Sequence, residues 1–302
     1  MALVACSPVV SPAIPAPTAS TAASPSDTVI PDLLSPSPSL SPSPSAAPSP
    51  TPSPTPEPTH CPGSDKTPNR AARTPLKETS PAWAGYVIYR TRTSVTCVEG
   101  SWLQPKVTCP STGDLAVAIW VGIDGLDSPS VGLDSSRTLE QIGTEAECRG
   151  GVLRMFAWHE VLPAEQNAQL VLTMTVSRGD RMWAMVEYAG DATFTLRIRN
   201  MTTGESFAID EVVEGAPRLT AEWIVEAPST GCATECTIAS LPKFATVTFS
   251  GAFVGIGSQR ASISDDSWRN GAIEMIRSRI ERASVSSLTS KGTSFGVTWR
   301  HR

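Results

Sequence analysis

Histidine is scarce in this chain, with three among 302 residues: His60, His159 and His301. Neither an H-E-x-x-H nor a C-x-x-C pattern occurs, so the ligand spacings of zinc proteases and zinc ribbons are missing. We therefore expect no metal and no other cofactor. The same scarcity weakens any triad that needs an imidazole base. Gly292-Thr293-Ser294-Phe295-Gly296 fits G-x-S-x-G, yet only six residues follow it, too few for the helix, acid and histidine a nucleophile elbow requires. A cysteine–histidine pair would have to use His159, because His60 lies in the proline-rich part and His301 is next to last. No apolar run is long enough to cross a bilayer as a helix. Basic charge is also lacking: 24 Lys and Arg stand against 29 Asp and Glu, a net charge of -5, so no nucleic-acid partner is expected.

Aromatic residues are absent from the whole N-terminal part. All eight tryptophans lie at Trp83 or later, whereas 20 of the 27 prolines precede Ala82. Order-breaking residues in one part and large core-formers in another imply a tail and a domain. Residues 7–79 read as a disordered Pro/Ser/Thr-rich linker, extended where proline alternates as in Ser35-Pro36-Ser37-Pro38. Residues 80–302 are long enough for one well-buried core. Ahead of the linker, Leu3-Val4-Ala5-Cys6 has the form of a lipobox. An export signal needs a charged start and an apolar run of roughly seven or more residues, and only five residues precede Cys6. Two readings stand: residues 1–6 are the remnant of a lipoprotein signal that tethers the protein to a membrane through Cys6, or the match is coincidence.

Seven cysteines are present, and setting Cys6 aside leaves six, an even number that suits disulfides in an oxidising compartment. Sequence alone does not choose among the pairings. The local pairs Cys232–Cys236 and Cys97–Cys109 are the expected ones.

Past Trp83 the periodicity is that of strands. Leu170, Leu172, Met174 and Val176 alternate with polar or smaller residues, as do Phe194, Leu196 and Ile198 ahead of an Asn200-Met201-Thr202-Thr203-Gly204 turn. Val247 with Phe249, and Phe295 with Val297 and Trp299, continue the pattern. Such alternation marks half-buried antiparallel strands. Only Ala272 to Ile280 could be argued as a helix. The expected fold is all-β, a two-sheet antiparallel β-sandwich of concanavalin or jelly-roll type.

Five clusters carry the chemistry. They are Trp83-Ala84-Gly85-Tyr86, Trp120-Val121-Gly122-Ile123-Asp124-Gly125, Glu140-Gln141-Ile142-Gly143-Thr144-Glu145, Ala157-Trp158-His159-Glu160, and Thr220-Ala221-Glu222-Trp223-Ile224-Val225-Glu226. Their order and spacing resemble the glutamic peptidase (eqolisin) family over roughly residues 80–302. The resemblance implies a hydrolase with Gln141 and Glu226 as the catalytic pair. It implies substrate contacts from Trp120, Asp124, Glu145, Trp158 and Glu160. In a strand Glu222, Ile224 and Glu226 share one face, so parity cannot separate the two glutamates, and the family match alone favours Glu226. The chain departs from the family pattern at Ala82, where Asn is usual, at His159, where Tyr is common, and at Glu145, where Asp is frequent.

The pair suits acid chemistry. A histidine base is protonated at about pH 4, whereas a glutamate of pKa about 4.3 is still substantially ionised there. A glutamine amide does not titrate and donates at any pH. The resemblance therefore implies an acid endopeptidase, extracellular or at the cell surface, acting on polypeptides and monomeric. Two other classes remain open on the residues alone: a glycosidase using paired carboxylates, and a non-catalytic carbohydrate-binding or adhesion module on a stalk.

Overall fold

The computed structural model describes residues 60–66, 74–89, 94–126, 138–165, 167–230 and 237–302. Cys6, Cys232 and Cys236, and with them the lipid tether and the expected Cys232–Cys236 bridge, lie outside the described residues. Among those described, regular structure is entirely β.

The strands form two layers. The first runs, in spatial order, Leu76–Ser80, Arg269–Arg277, Trp83–Tyr89, Thr220–Glu226, Asp114–Asp124, Leu139–Arg149, Val152–Leu162 and Gln169–Leu170. The second runs Ile280–Val285, Phe295–Trp299, Val247–Ile256, Val95–Leu103, Arg181–Gly190, Thr193–Asn200 and Ser206–Val212. Neighbours are antiparallel except Leu76–Ser80, which runs parallel to Arg269–Arg277. The Arg269–Arg277 strand slips register at Met275/Ile276 and pairs onward with Ile280–Val285, so one strand joins both layers.

Period-two alternation decides which side chains meet between the layers. Val117, Ile119, Val121, Ile142, Ala146, Trp223 and Val225 of the first layer pack against Val98, Trp102, Ala184, Val186, Leu196 and Phe249 of the second. Trp223 donates its indole N–H to the Glu99 carbonyl at 2.8 Å, and Trp102 donates to Thr144 Oγ1 at 3.1 Å, so the large aromatics keep their polar atoms satisfied. The other face of the first layer holds a second apolar cluster of Trp83, Val87, Ala118, Trp120, Leu139, Trp158, Ile224 and Ile273. A sheet covered on both faces needs near-continuous apolar sequence. The wholly buried strand Trp83–Tyr89 has it throughout, and Thr220–Glu226 has it apart from Thr220 and two glutamates.

Alternation located the strands at Thr193–Asn200, Val247–Ile256 and Phe295–Trp299, with a turn at 201–203. Two expectations are corrected. The Leu170 to Val176 segment is a strand only at Gln169–Leu170; beyond it Val171, Met174 and Val176 turn inward while Leu172 is 87% exposed. Its apolar residues plug one edge of the sandwich through a turn, closed by Met174 N–H to the Val171 carbonyl. Ala272 to Ile280 is no helix: its first part belongs to the Arg269–Arg277 strand, where pairing on both sides overrides any helical leaning.

Disulfides join Cys61 to Cys97 and Cys109 to Cys148. Cys97 and Cys109 are thus both oxidised, but not to each other as expected. The Val95–Leu103 strand carries the chain about 3.3 Å per residue away from Cys97. It also aims Cys97 outward, beside Cys61, Trp183 and Met185, whereas Cys148 lies in the interlayer core with Cys109 packed against it. The Cys61 bridge draws in residues that composition had assigned to the linker. Ser64–Asp65 pairs with Gln259–Ser262, and Arg260 binds both Asp65 and Glu99 at 2.7 Å. Described residues 60–66 and 74–79 thus lie within the segment 7–79 that composition reads as linker.

Peptide mapping of the non-reduced protein should yield Cys61–Cys97 and Cys109–Cys148 linked peptides. Each closes a loop of intermediate length, so breaking one by Cys61→Ser or Cys109→Ser should cost about 2–4 kcal/mol of stability. A Cys97–Cys109 peptide in native protein would contradict the structure.

Candidate active site

Strand register places the motif residues in three successive rows on the second, non-interlayer face of the first layer. One row reads Glu222, Gly122, Gln141, Glu160; the next reads Ile224, Trp120, Gly143, Trp158; the third reads Glu226, Ala118, Glu145, Phe156. Gln141 and Glu226 therefore share a face but lie two rows apart.

Trp120 spans that gap. A Cβ on Gly122 would lie 2.9 Å from Trp120 Cζ3, so the six-membered edge of the indole covers the Gln141 row. At its other end Trp120 Nε1 donates to Glu226 Oε2 at 2.8 Å. Two glycines make this posture feasible. A Cβ on Gly143 would come within 2.6 Å of Trp120 Cβ and 2.2 Å of the Ile119 carbonyl oxygen, contacts no side chain tolerates. Trp83 completes the wall, meeting Trp120 edge-on with ring centroids 4.9 Å apart.

Gln141 Nε2 donates to Glu160 Oε2 at 2.7 Å, which fixes which end of the amide is the donor. Around this pair the site is acidic and buried: Gln141, Glu145, Glu160 and Glu226 are each no more than 2% exposed. Burial pushes the Glu226 carboxyl up to about 8, helped by nearby Glu160 and opposed by the Trp120 and Trp83 indoles, which favour the ionised form. Burial likewise pushes Glu145 up to about 8, with Glu147, Glu226 and Glu160 adding repulsion. Neither Glu145 oxygen has a hydrogen-bond partner among the described residues.

The structure sets Gln141 beside Glu160 in one row and Glu226 and Glu145 in another two rows away, with Trp120 and Trp158 in the row between; the glutamate that the Thr220–Glu226 strand places in the Gln141 row is Glu222. Asp124 stands apart. It ends its strand in a left-handed conformation with φ 67°, and its oxygens accept the backbone N–H groups of Arg218 and Leu219, each at 2.7 Å. It thereby anchors the turn that leads into Thr220–Glu226. Burial raises Asp124 to about 6; burial also raises Glu140 and Glu222 well above the ordinary carboxylate value, with the Asp124 charge adding to it. Glu222 shares the face of Glu226 but sits in the Asp124 group, four residues along the strand. Trp83 was quoted in the first motif without a role in the site. Its signal was the residue type itself, a tryptophan opening the first buried strand.

The outer face of the first layer thus buries an amide–carboxyl pair, Gln141 with Glu160, beside a wall of tryptophan. The Peptidase A4 family matches residues 81–299, and the chain belongs to that family, the glutamic peptidases. It is 28% identical over 228 residues to aspergillopepsin-2 of Aspergillus niger, covering 68% of this chain and 75% of that protein. Scytalido-glutamic peptidase, solved with a transition-state analog inhibitor, superposes with a TM-score of 0.61 at 20% identity, over 73% of this chain and 99% of that one. Aspergilloglutamic peptidase from Aspergillus niger does so with a TM-score of 0.51 at 24% identity, over 62% and 99%. The last two likenesses concern the fold. The glycosidase and binding-module readings give way to the family match.

The buried acids make stability depend on pH with a definite sign. Glu145 and Glu226 have folded pKa values raised above the ordinary carboxylate value, so the folded state holds their protons through a range in which the unfolded chain releases them. Their contribution is full below about pH 4.5 and is lost as pH rises through about 8. The thermal midpoint should fall by roughly 5–10 °C between acid and mildly alkaline buffer. Glu145→Gln should flatten that slope, and a midpoint that rises from pH 4 to pH 8 would refute the assignment.

Proposed function

We propose that this peptidase cleaves polypeptide chains with Gln141 and Glu226 as its catalytic dyad. What supports the reading is the family match across the Glu140–Glu145 and Thr220–Glu226 motifs, with the Trp120 indole, in the row between them, hydrogen-bonding Glu226 at 2.8 Å. Glu226 takes a proton from water, and the water oxygen attacks the scissile carbonyl carbon. The carbonyl oxygen becomes an oxyanion, which a Gln141 N–H stabilises, and the tetrahedral intermediate collapses as Glu226 returns the proton to the leaving amine. The hydrogen that Gln141 gives to Glu160 holds the amide in the donating orientation.

The acid working pH in this proposal follows the family resemblance; the raised Glu226 pKa by itself keeps the carboxyl neutral in acid. The largest cause of that rise is exclusion from water. The two indoles oppose it by favouring the ionised form, the form in which Glu226 can take a proton from water. As pH rises further, ionisation of the acids around Gln141 sets negative charge against the developing oxyanion.

The remaining site residues take supporting parts in this proposal. Trp158 and Trp120 offer apolar walls to the substrate backbone, Glu145 a neutral carboxylic acid as donor, and Asp124 acts through the turn it anchors. Two disulfides fit an extracellular location, where oxidised pairs persist. The proposal includes a monomeric enzyme, with Cys6 as membrane tether.

Two near-isosteric variants test the dyad. Glu226→Gln should reduce hydrolysis of a denatured protein substrate to near background between about pH 2 and 5, because no base then activates water. Gln141→Glu sets a second carboxyl against Glu160 and should lose about 10²–10³ in kcat, more as pH rises. Retention of more than about a tenth of activity in either variant would exclude this dyad.

A further inference from the structure

His159 has no part in the reaction, although its neighbours on the Val152–Leu162 strand, Trp158 and Glu160, face the site. By alternation its imidazole points to the opposite side. There it stacks on Phe207 of the Ser206–Val212 strand, with ring centroids 5.5 Å apart and planes 24° from parallel. Those two strands lie toward the same edge of the first and second layers. His159 therefore sits where that edge of the sandwich closes.

Two carboxylates converge on it. Glu165 follows the strand in a turn held by its own N–H to the Val161 carbonyl at 2.8 Å, and by Val161 N–H to Glu165 Oε2 at 2.9 Å. Glu211 comes from the opposite layer, on the strand that carries Phe207. One ligand atom from each of the three residues lies within 4.8 Å of the others. His159 is 5% exposed, and its Nδ1 is shielded from solvent and makes no hydrogen bond, with Glu165 Oε2 at 3.9 Å, too far for one. A buried imidazole nitrogen thus points, unpartnered, between two acids. Neither acid forms an ion pair with Lys or Arg among the described residues.

We propose that His159, Glu165 and Glu211 form a binding site for a divalent transition-metal ion of the zinc type. One nitrogen and two carboxylate oxygens, with a fourth position left to water, are a ligand set that zinc accepts. Tetrahedral coordination at about 2.0–2.2 Å separates ligand atoms by roughly 3.3–3.6 Å, within about 1.5 Å of the observed spread and attainable by side-chain rotation. The charge is right as well, since a dication neutralises two neighbouring carboxylates, of which Glu165 is raised by burial first and by the charge of Glu211 after it. Burial lowers the His159 pKa, which keeps the imidazole in the neutral form that a metal requires. The metal takes no part in hydrolysis. It pins the Val152–Leu162 strand, which carries Trp158 and Glu160, to the facing layer.

The test is a titration of the full oxidised chain, free thiols alkylated, with Zn²⁺ near pH 7 by calorimetry, and with Co²⁺ by visible absorption. One equivalent should bind with a dissociation constant of about 10 μM or tighter and raise the thermal midpoint. His159→Gln and Glu211→Gln should each weaken binding at least tenfold, whereas His60→Gln and His301→Gln should not. Glu211 is only partly buried, so its variant folds even if the loss of His159 disturbs packing. Affinity unchanged in Glu211→Gln, or no binding by about 1 mM Zn²⁺, overturns the site.

Discussion

A sheet covered on both faces leaves little room for ionisable groups, and this one carries several carboxyls in its covered strands. What makes the arrangement workable near the proposed dyad is the hydrogen bond from the Trp120 indole to Glu226. The ring needs the bare backbone of Gly143 beneath it and the open surface of Gly122 beside it. It therefore ties three strands of sequence to one geometry. The same contact gives Glu226 a polar partner in surroundings that otherwise drive its carboxyl toward the neutral form.

Burial of acids has consequences for the whole domain as well as for the site. Glu145 and Glu226 each hold a proton more tightly folded than unfolded, so acid favours the native state as well as the proposed chemistry. In many proteins acid is a stress because native carboxylates must be neutralised. Here the leading buried carboxyls are neutral in the closed fold, and it is alkalinity that strains them. The two disulfides restrain the unfolded chain independently of pH.

The sandwich layers also meet through polar devices at their edges. Glu99 and Arg260 fasten the residue 60–66 segment to the outer side of the second layer, beside the Cys61–Cys97 bridge. At another edge His159, Glu165 and Glu211 gather ligand-bearing atoms from both layers. The first set satisfies its charges internally, whereas the second leaves a buried nitrogen and two acids facing one another. That contrast separates a structural ion-pair network from a place fitted for a cation.

Much of this protein was legible in the order of its residues. Alternation of apolar and polar positions is a local property of strands, so Thr193–Asn200 and Phe295–Trp299 could be read directly, and the order of the tryptophan and glycine motifs carried the family resemblance, from which Gln141 and Glu226 are proposed. Local pattern failed where tertiary partners decide. Val171 and Met174 serve an edge turn instead of a strand, Ala272 pairs on both sides within a sheet, and Cys97 and Cys109 face opposite sides of a layer, so each finds a partner distant in sequence. Parity put Glu222 and Glu226 on one face, and only the register of the neighbouring strands sets the first in the Gln141 row near Asp124 and the second against Trp120. The raised pKa values and the meeting of His159 with Glu211 have no linear signature at all. Desolvation and cross-layer proximity arise only when two sheets close on each other, because both depend on what packs above a residue and not on what stands beside it in the chain.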